Sequence, residues 1–175
     1  MSIPSPAQIC QPTQLGIIKE HSSYYWIGEN KLQGSAFQSI NCYSSPDLVQ
    51  WTYVGELLSR TNSGDLGPDR VAERPKVLYN EATRKFVMWL HIDDSSYGEA
   101  KTGVAVSESV CGEYNYLLVF FTSGCVVPIG GADDIRGSFR PLGHESRDMG
   151  LFQDDDGSAY LLSEDVSALP HLGTF

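Results

Sequence analysis

The chain has 175 residues and a formal net charge of −10, and 41% of its residues are hydrophobic, including nine Tyr, seven Phe and three Trp. This composition is typical of a globular protein with a core, and no apolar run approaches membrane-spanning length. The acidic balance and the scattered Lys and Arg argue against nucleic acid as a partner, because phosphates would be repelled. The length fits one ordinary domain but is short for the larger all-β propellers.

The cellular compartment is left open by the sequence. The first residues, MSIPSPAQICQPTQLG, lack the basic start and apolar stretch of a secretory signal, so either the protein stays inside the cell or its true start is missing. The four cysteines show no C-x-x-C pair and no His at metal-ligand spacing, so zinc is not indicated. Their even number permits disulfides, and buried free thiols are an equal alternative; the cysteines are Cys10, Cys42, Cys111 and Cys125.

In chain order, short aromatic and β-branched runs alternate with turn residues, and no stretch has apolar residues at helical spacing. The first four predicted strands form one unit of two hairpins, the next four form a second unit, and a further hairpin begins a third. The runs are 16–29, 36–43 and 51–54, then 76–90, 102–107 and 114–116, and finally 150–162.

A four-stranded unit that recurs along a chain predicts a β-propeller, because each blade buries its faces against its neighbours. A β-sandwich also has short strands and frequent turns, and it is the alternative. We therefore expect an all-β fold in which about two to two and a half blades of a propeller are present.

Two stretches depart from the blade pattern. Residues 118–136 are an apolar run followed by a Gly- and Asp-rich segment, and residues 166–175 abandon the pattern at once. Val166-Ser167 is what the common intron-start hexamer GTAAGT encodes, and removal of 118–136 would restore a plain strand. We expect both stretches to be translated introns, with 118–136 a non-native insertion and 166–175 a non-native tail. The remaining pattern then predicts one partial propeller domain over 1–175.

Four strings carry a resemblance to a known family: YYWIGENK over 24–31, YSSPDLVQW over 43–51, ERPKVLYN over 73–80 and SRDMGLFQDDDG over 146–157. In this order they resemble the opening blades of glycoside hydrolase family 43, and most of all its galactan 1,3-β-galactosidase branch. The resemblance implies a five-bladed β-propeller with a sugar pocket at its axis, and inverting hydrolysis by converging carboxyl groups. It further implies exo-β-1,3-galactanase activity on plant cell-wall galactan, no cofactor, a monomer and an extracellular location.

The resemblance also implies site residues. Asp148 is similar to the family's central Asp, which orients the general acid and raises its pKa, since two close carboxyl groups do not easily both ionise. Glu73 would hydrogen-bond the terminal galactose, and Glu29 and Tyr97 resemble further pocket residues. We expect Asp148 and Glu73 to face one axial cavity. In the alternative, Glu29 and Glu73 are solvated charges at strand ends.

Other polar groups favour structural roles. The run D-D-D-G over 154–157 and the pair Asp93-Asp94 lack the spacing of a calcium loop, and the first predicts a polar hairpin turn, so no metal site is expected. His91 has no Ser or Cys nucleophile in a recognisable elbow. Arg74 is expected to brace the carboxylate beside it.

The chain departs from the family pattern at both ends. Pro12–Gly16 stands where a His- and Gly-rich strand is usual, and the general acid, a Glu of the third blade, is expected beyond the last residue. As it stands, the chain should therefore be inactive. Two alternatives are a noncatalytic carbohydrate-binding or interaction propeller and a fragment that never folds stably.

Overall fold

The computed structural model describes residues 16–81, 83–120, 126–128, 139–141, 149–154, 159–163 and 171–174. The first four strands form one antiparallel sheet in the order β1-β2-β3-β4, and the next four form a second in the order β5-β6-β7-β8. Their bounds are β1 Gly16–Glu20, β2 Ser23–Glu29, β3 Ser39–Ser45, β4 Thr52–Ser59, β5 Arg70–Asn80, β6 Lys85–Asp94, β7 Lys101–Ser107 and β8 Asn115–Phe120. A 3-10 helix over Gly64–Leu66 lies between the sheets in sequence.

The two four-stranded sheets confirm the predicted all-β fold and its repeating unit. Two strand bounds in the first sheet differ from prediction. β3 begins at Ser39 rather than Ala36, because Phe37 donates its N–H to the carbonyl of Arg70, at 2.8 Å, outside its own sheet. β4 continues to Ser59, well beyond the predicted Val54.

Five further strands are β9 Val126–Pro128, β10 Phe139–Pro141, β11 Met149–Gln153, β12 Ala159–Ser163 and β13 His171–Thr174. β11 and β12 pair antiparallel, as predicted for the hairpin around D-D-D-G, and β13 pairs with β12. β8 includes the first three residues of the proposed insertion, and β13 lies in the proposed tail. Residues 121–125, 129–138 and 164–170 lie outside the described residues, so both intron assignments stay predictions.

The core lies between the two four-stranded sheets. Large side chains with almost no exposure come from both, namely Ile27, Ile40 and Leu57 from the first sheet and Met88, Leu90 and Ile92 from the second. Burial of each such side chain contributes about 1.5–3 kcal/mol. β5 lies beside β1 and β2, so the residues at its start meet the end of β2.

A disulfide joins the sheets. Cys42 of β3 bonds to Cys111, which follows β7, with 5.7 Å between their Cα atoms. This answers the question that the sequence left open for these two cysteines. Cys10 and Cys125 lie outside the described residues.

Within the described ranges, no helix has both the length and the apolar character needed to cross a membrane.

Candidate functional site

Three acidic or phenolic side chains from separate elements meet around one ammonium group. The Nζ atom of Lys31 lies 2.5 Å from Oε1 of Glu73 and 3.2 Å from Oε2 of Glu29. The hydroxyl of Tyr97 donates to the same Oε1 of Glu73 at 3.0 Å. Glu29 ends β2, Glu73 lies in β5, and Tyr97 lies between β6 and β7. We call Glu29, Lys31, Glu73 and Tyr97 the carboxylate cluster.

A β-bulge in β5 connects the two carboxylates. The register of β5 against β6 shifts between Glu73 and Lys76, and Arg74 inside the bulge has a positive φ of 58°. A bulge redirects the backbone locally. Here the N–H of Arg74 donates to Oε1 of Glu29 at 2.6 Å, so the backbone after Glu73 holds the neighbouring carboxylate.

Both carboxylates are largely removed from water. Glu29 and Glu73 are each 9% exposed, which contradicts the alternative in which they are solvated charges at strand ends. Buried carboxylates require a partner charge or hydrogen bonds, and Lys31, Arg74 and Tyr97 supply them. The arrangement is a fixed, polar and partly dry surface whose carboxylate oxygens can accept hydrogen bonds from hydroxyl groups.

Burial and the neighbouring charges have opposite effects on the pKa of Lys31. Burial by itself would lower the pKa of Lys31, but the hydrogen bond to Glu73 and the charges of both carboxylates outweigh it, so the pKa is raised above 10.5. Burial, together with the hydrogen bond to Glu73, raises the pKa of Tyr97. At neutral pH Lys31 is therefore a cation and Tyr97 a neutral donor.

A buried His–Asp pair lies beside the cluster. His91 Nε2 lies 3.0 Å from Oδ2 of Asp93, and both side chains are almost fully buried. The ring of His91 stacks on that of Tyr97, with 6.3 Å between centroids and 9° between planes. Both carboxylate oxygens of Asp93 accept backbone N–H groups as well, so we assign His91 Nε2 the donor role in the pair.

We expect His91 to make folding stability depend on pH. Burial lowers the pKa of His91 below 6.5. The positive charge of Arg74 lowers this pKa further, whereas the negative charge of Asp93 raises it without cancelling the effect of burial. Below pH 6.5, His91 binds a proton more readily in the unfolded chain than in the folded protein. Its contribution to stability is therefore fully present above pH 6.5 and is lost as pH falls through the lowered pKa of the folded protein.

The H91Q variant keeps a donor for Asp93 but cannot titrate. Its free energy of unfolding, measured in urea, should fall less than that of the wild type between about pH 7 and about pH 5.5. H21Q, at an exposed turn, is the control and should follow the wild type. Parallel curves for H91Q and the wild type would contradict the assignment.

The structure brings together three of the four residues that the resemblance implied. Glu29, Glu73 and Tyr97 share the carboxylate cluster, whereas Asp148 lies outside the described residues, so its role and the shared cavity stay predictions. Sequence reasoning missed Lys31. The available signal was its place two residues after Glu29, within the string over 24–31 that carries the resemblance.

The described ranges contain no group of three His, Cys, Asp or Glu placed as metal ligands would be.

A family profile and solved structures both match this chain. The profile of the family described as Glycosyl hydrolases family 43 matches residues 12–169. An exo-β-1,3-galactanase from Phanerochaete chrysosporium, solved with galactose, is 33% identical with a TM-score of 0.76 over 99% of this chain and 39% of that one. A substituted variant of the same enzyme, solved with β-1,3-galactotriose, is 34% identical with a TM-score of 0.75 over 92% of this chain and 34% of that one.

An exo-β-1,3-galactanase from Clostridium thermocellum is 35% identical, with a TM-score of 0.72 over 92% of this chain and 33% of that one. A search of curated protein sequences finds no match. The chain spans less than half the length of each of these related structures. Because the family profile and these alignments cover nearly all of its own length, the chain belongs to glycosyl hydrolases family 43 and forms part of a five-bladed β-propeller.

Proposed function

We propose that the full-length protein hydrolyses β-1,3-linked galactan from its chain end, and that the carboxylate cluster binds the terminal sugar. The observation that carries the proposal is the meeting of Glu29, Glu73 and Tyr97 around Lys31, from elements far apart in sequence. The resemblance implied a sugar-binding role for the same three residues. Related structures 33–34% identical to this chain are named as holding galactose and β-1,3-galactotriose.

The chemistry of the cluster suits a sugar with several hydroxyl groups. Lys31 keeps two neighbouring carboxylates paired with a cation, so both can accept hydrogen bonds from sugar hydroxyls. Lys31 and Tyr97 both donate to Oε1 of Glu73, which fixes the rotation of that carboxylate and hence the direction of its second oxygen. Such a surface selects the orientation of hydroxyls, which distinguishes one sugar from another.

Hydrolysis with inversion needs further groups. A carboxylic acid must protonate the leaving oxygen while a base activates water on the opposite face of the sugar. We assign to Asp148 the task of orienting that acid and raising its pKa, and to the cluster the task of holding the sugar. The Cys42–Cys111 disulfide supports an oxidising, extracellular setting for this work.

Galactose release from β-1,3-galactan tests the proposal, with the protein extended through the remaining blades of its parent gene. Glu73→Gln keeps the shape of the side chain but removes the charge. We expect kcat/KM to fall by about 10- to 100-fold, the effect of losing a hydrogen bond to a charged acceptor. The control is E81Q, at an exposed turn beside the same strand, which should keep wild-type activity.

Three outcomes decide between functions. Release of galactose from β-1,3-galactan, without release of arabinose from arabinan or of xylose from xylan, supports the proposed substrate. Binding of galactose without release, with affinity lost in E73Q, would favour the noncatalytic carbohydrate-binding alternative. Equal activity of E73Q and the wild type would show that the carboxylate cluster does not bind the substrate.

A further inference from the structure

The segment between β6 and β7 carries Tyr97 into the carboxylate cluster. We infer that Asp93 is a positioning residue that fixes this segment, and through Tyr97 sets the orientation of the Glu73 carboxylate. The part of the inference that concerns sugar binding rests on the proposed function. The part that concerns the segment itself does not.

Asp93 is the inner anchor of the segment. Its side chain is fully buried, and Oδ1 accepts the N–H groups of Asp94 and Glu99, both at 2.8 Å. Oδ2 accepts from the N–H of Ala100 at 3.2 Å and from His91 Nε2 at 3.0 Å. One carboxylate thus ties the start of the segment to its end, and four donors make the buried charge acceptable.

The backbone of the segment needs such an anchor. Tyr97 and Ala100 have positive φ values of 57° and 46°, a region that costs free energy for residues other than glycine. Asp94 holds the tip, with its Oδ1 accepting the N–H of Ser96 at 2.7 Å and its carbonyl accepting that of Tyr97 at 3.1 Å. The tip is therefore shaped locally, whereas its placement over the site depends on Asp93.

Asp93 also acts on the tyrosine ring through His91. Because Asp93 accepts the His91 Nε2 hydrogen, it fixes the plane of the imidazole, on which the ring of Tyr97 stacks nearly parallel. This contact directs the phenol towards Oε1 of Glu73, 3.0 Å from its hydroxyl. Loss of the Asp93 contacts would therefore loosen the backbone that carries Tyr97 and also the imidazole on which the Tyr97 ring stacks.

A second set of contacts holds the outer side of the segment independently. Glu99 pairs with Arg70 at the start of β5 and with Lys101 of β7, the latter at 2.8 Å. Lys101 also lies 3.6 Å from Asp65. Without Asp93 the segment should therefore shift and loosen while it stays attached.

Asp93→Asn tests the inference in the extended protein, because the amide nitrogen cannot accept the hydrogens of Ala100 and His91. We expect the amide hydrogens of Glu99 and Ala100 to exchange at least about 10-fold faster, and KM for β-1,3-galactan to rise about 10-fold. The control is D47N, since Asp47 likewise accepts turn N–H groups, those of Val49 and Gln50, but in the connection between β3 and β4. It should leave both readouts unchanged.

A double-mutant cycle separates positioning from general stability. If Asp93 acts through Tyr97, then Y97F raises KM by itself and D93N adds no further rise to Y97F. Additive effects on KM would overturn the inference, as would unchanged amide exchange in D93N. If the extended wild type releases no galactose, the proposed function fails, and the exchange measurement still decides whether Asp93 anchors the segment.

A milder variant serves if D93N does not fold. H91F keeps an aromatic ring beneath Tyr97 but removes one of the four donors to Asp93. We expect a rise in KM of about two- to threefold that vanishes in the Y97F background. A rise that persists there would contradict the route through Tyr97.

Discussion

The Lys31→Met variant should be strongly destabilised, by about 3 kcal/mol, because it leaves two largely buried carboxylates side by side without their shared cation. Methionine keeps the length and packing of the chain stem. Urea unfolding of the extended protein at neutral pH measures the loss, and galactose affinity should fall with it.

The pH range of this contribution follows from the raised pKa of Lys31. A cation whose folded pKa exceeds its unfolded value of 10.5 contributes fully below that pH, and its contribution is lost as pH rises through the folded value. The difference between the wild type and K31M should therefore be fully present at neutral pH and shrink in strong alkali.

Lys85 offers a matched control, because its Nζ also pairs with a glutamate, Glu108, at 2.7 Å, but on the surface. Exposed ion pairs contribute little to stability. K85M should therefore unfold like the wild type. Similar destabilisation by K31M and K85M would show that the position of Lys31 between buried carboxylates has no special weight.

Reduction of the Cys42–Cys111 disulfide should lower the free energy of unfolding at least as much as the Lys31→Met change does. The two cysteines are 69 residues apart, and closing a loop of that length in the unfolded chain is worth about 4 kcal/mol in the chain-entropy account. Reduction removes the cross-link between the two sheets, which the backbone alone then connects. We expect a large fall in Tm when reductant is added.

The C10S/C125S variant makes this measurement specific, because only the pair at 42 and 111 can then be reduced. Adding C42A and C111A to it should reproduce the reduced Tm without any reductant. A melting temperature that does not respond to reductant would contradict the disulfide.

The sequence alone predicted the repeating four-stranded unit, because strand propensity and turn residues are local properties that recur at each blade. It also pointed to Glu29, Glu73 and Tyr97, through strings that resemble those of a family. It could not pair the cysteines, since four of them allow three connectivities and the choice depends on which sheets pack together.

Tertiary structure decided how the site is assembled. Lys31 becomes the common partner of two carboxylates only because β5 packs beside the end of β2, and Arg74 reaches Glu29 only through a bulge and a positive φ. In the sequence, Asp93 stands out only as part of a pair that lacks the spacing of a calcium loop, yet its burial makes it the anchor of the Tyr97 segment. Residue type and strand pattern are local properties of the sequence. Burial and charge pairing arise from contacts between residues distant in the chain, so only the packing of the folded sheets determines burial and charge pairing.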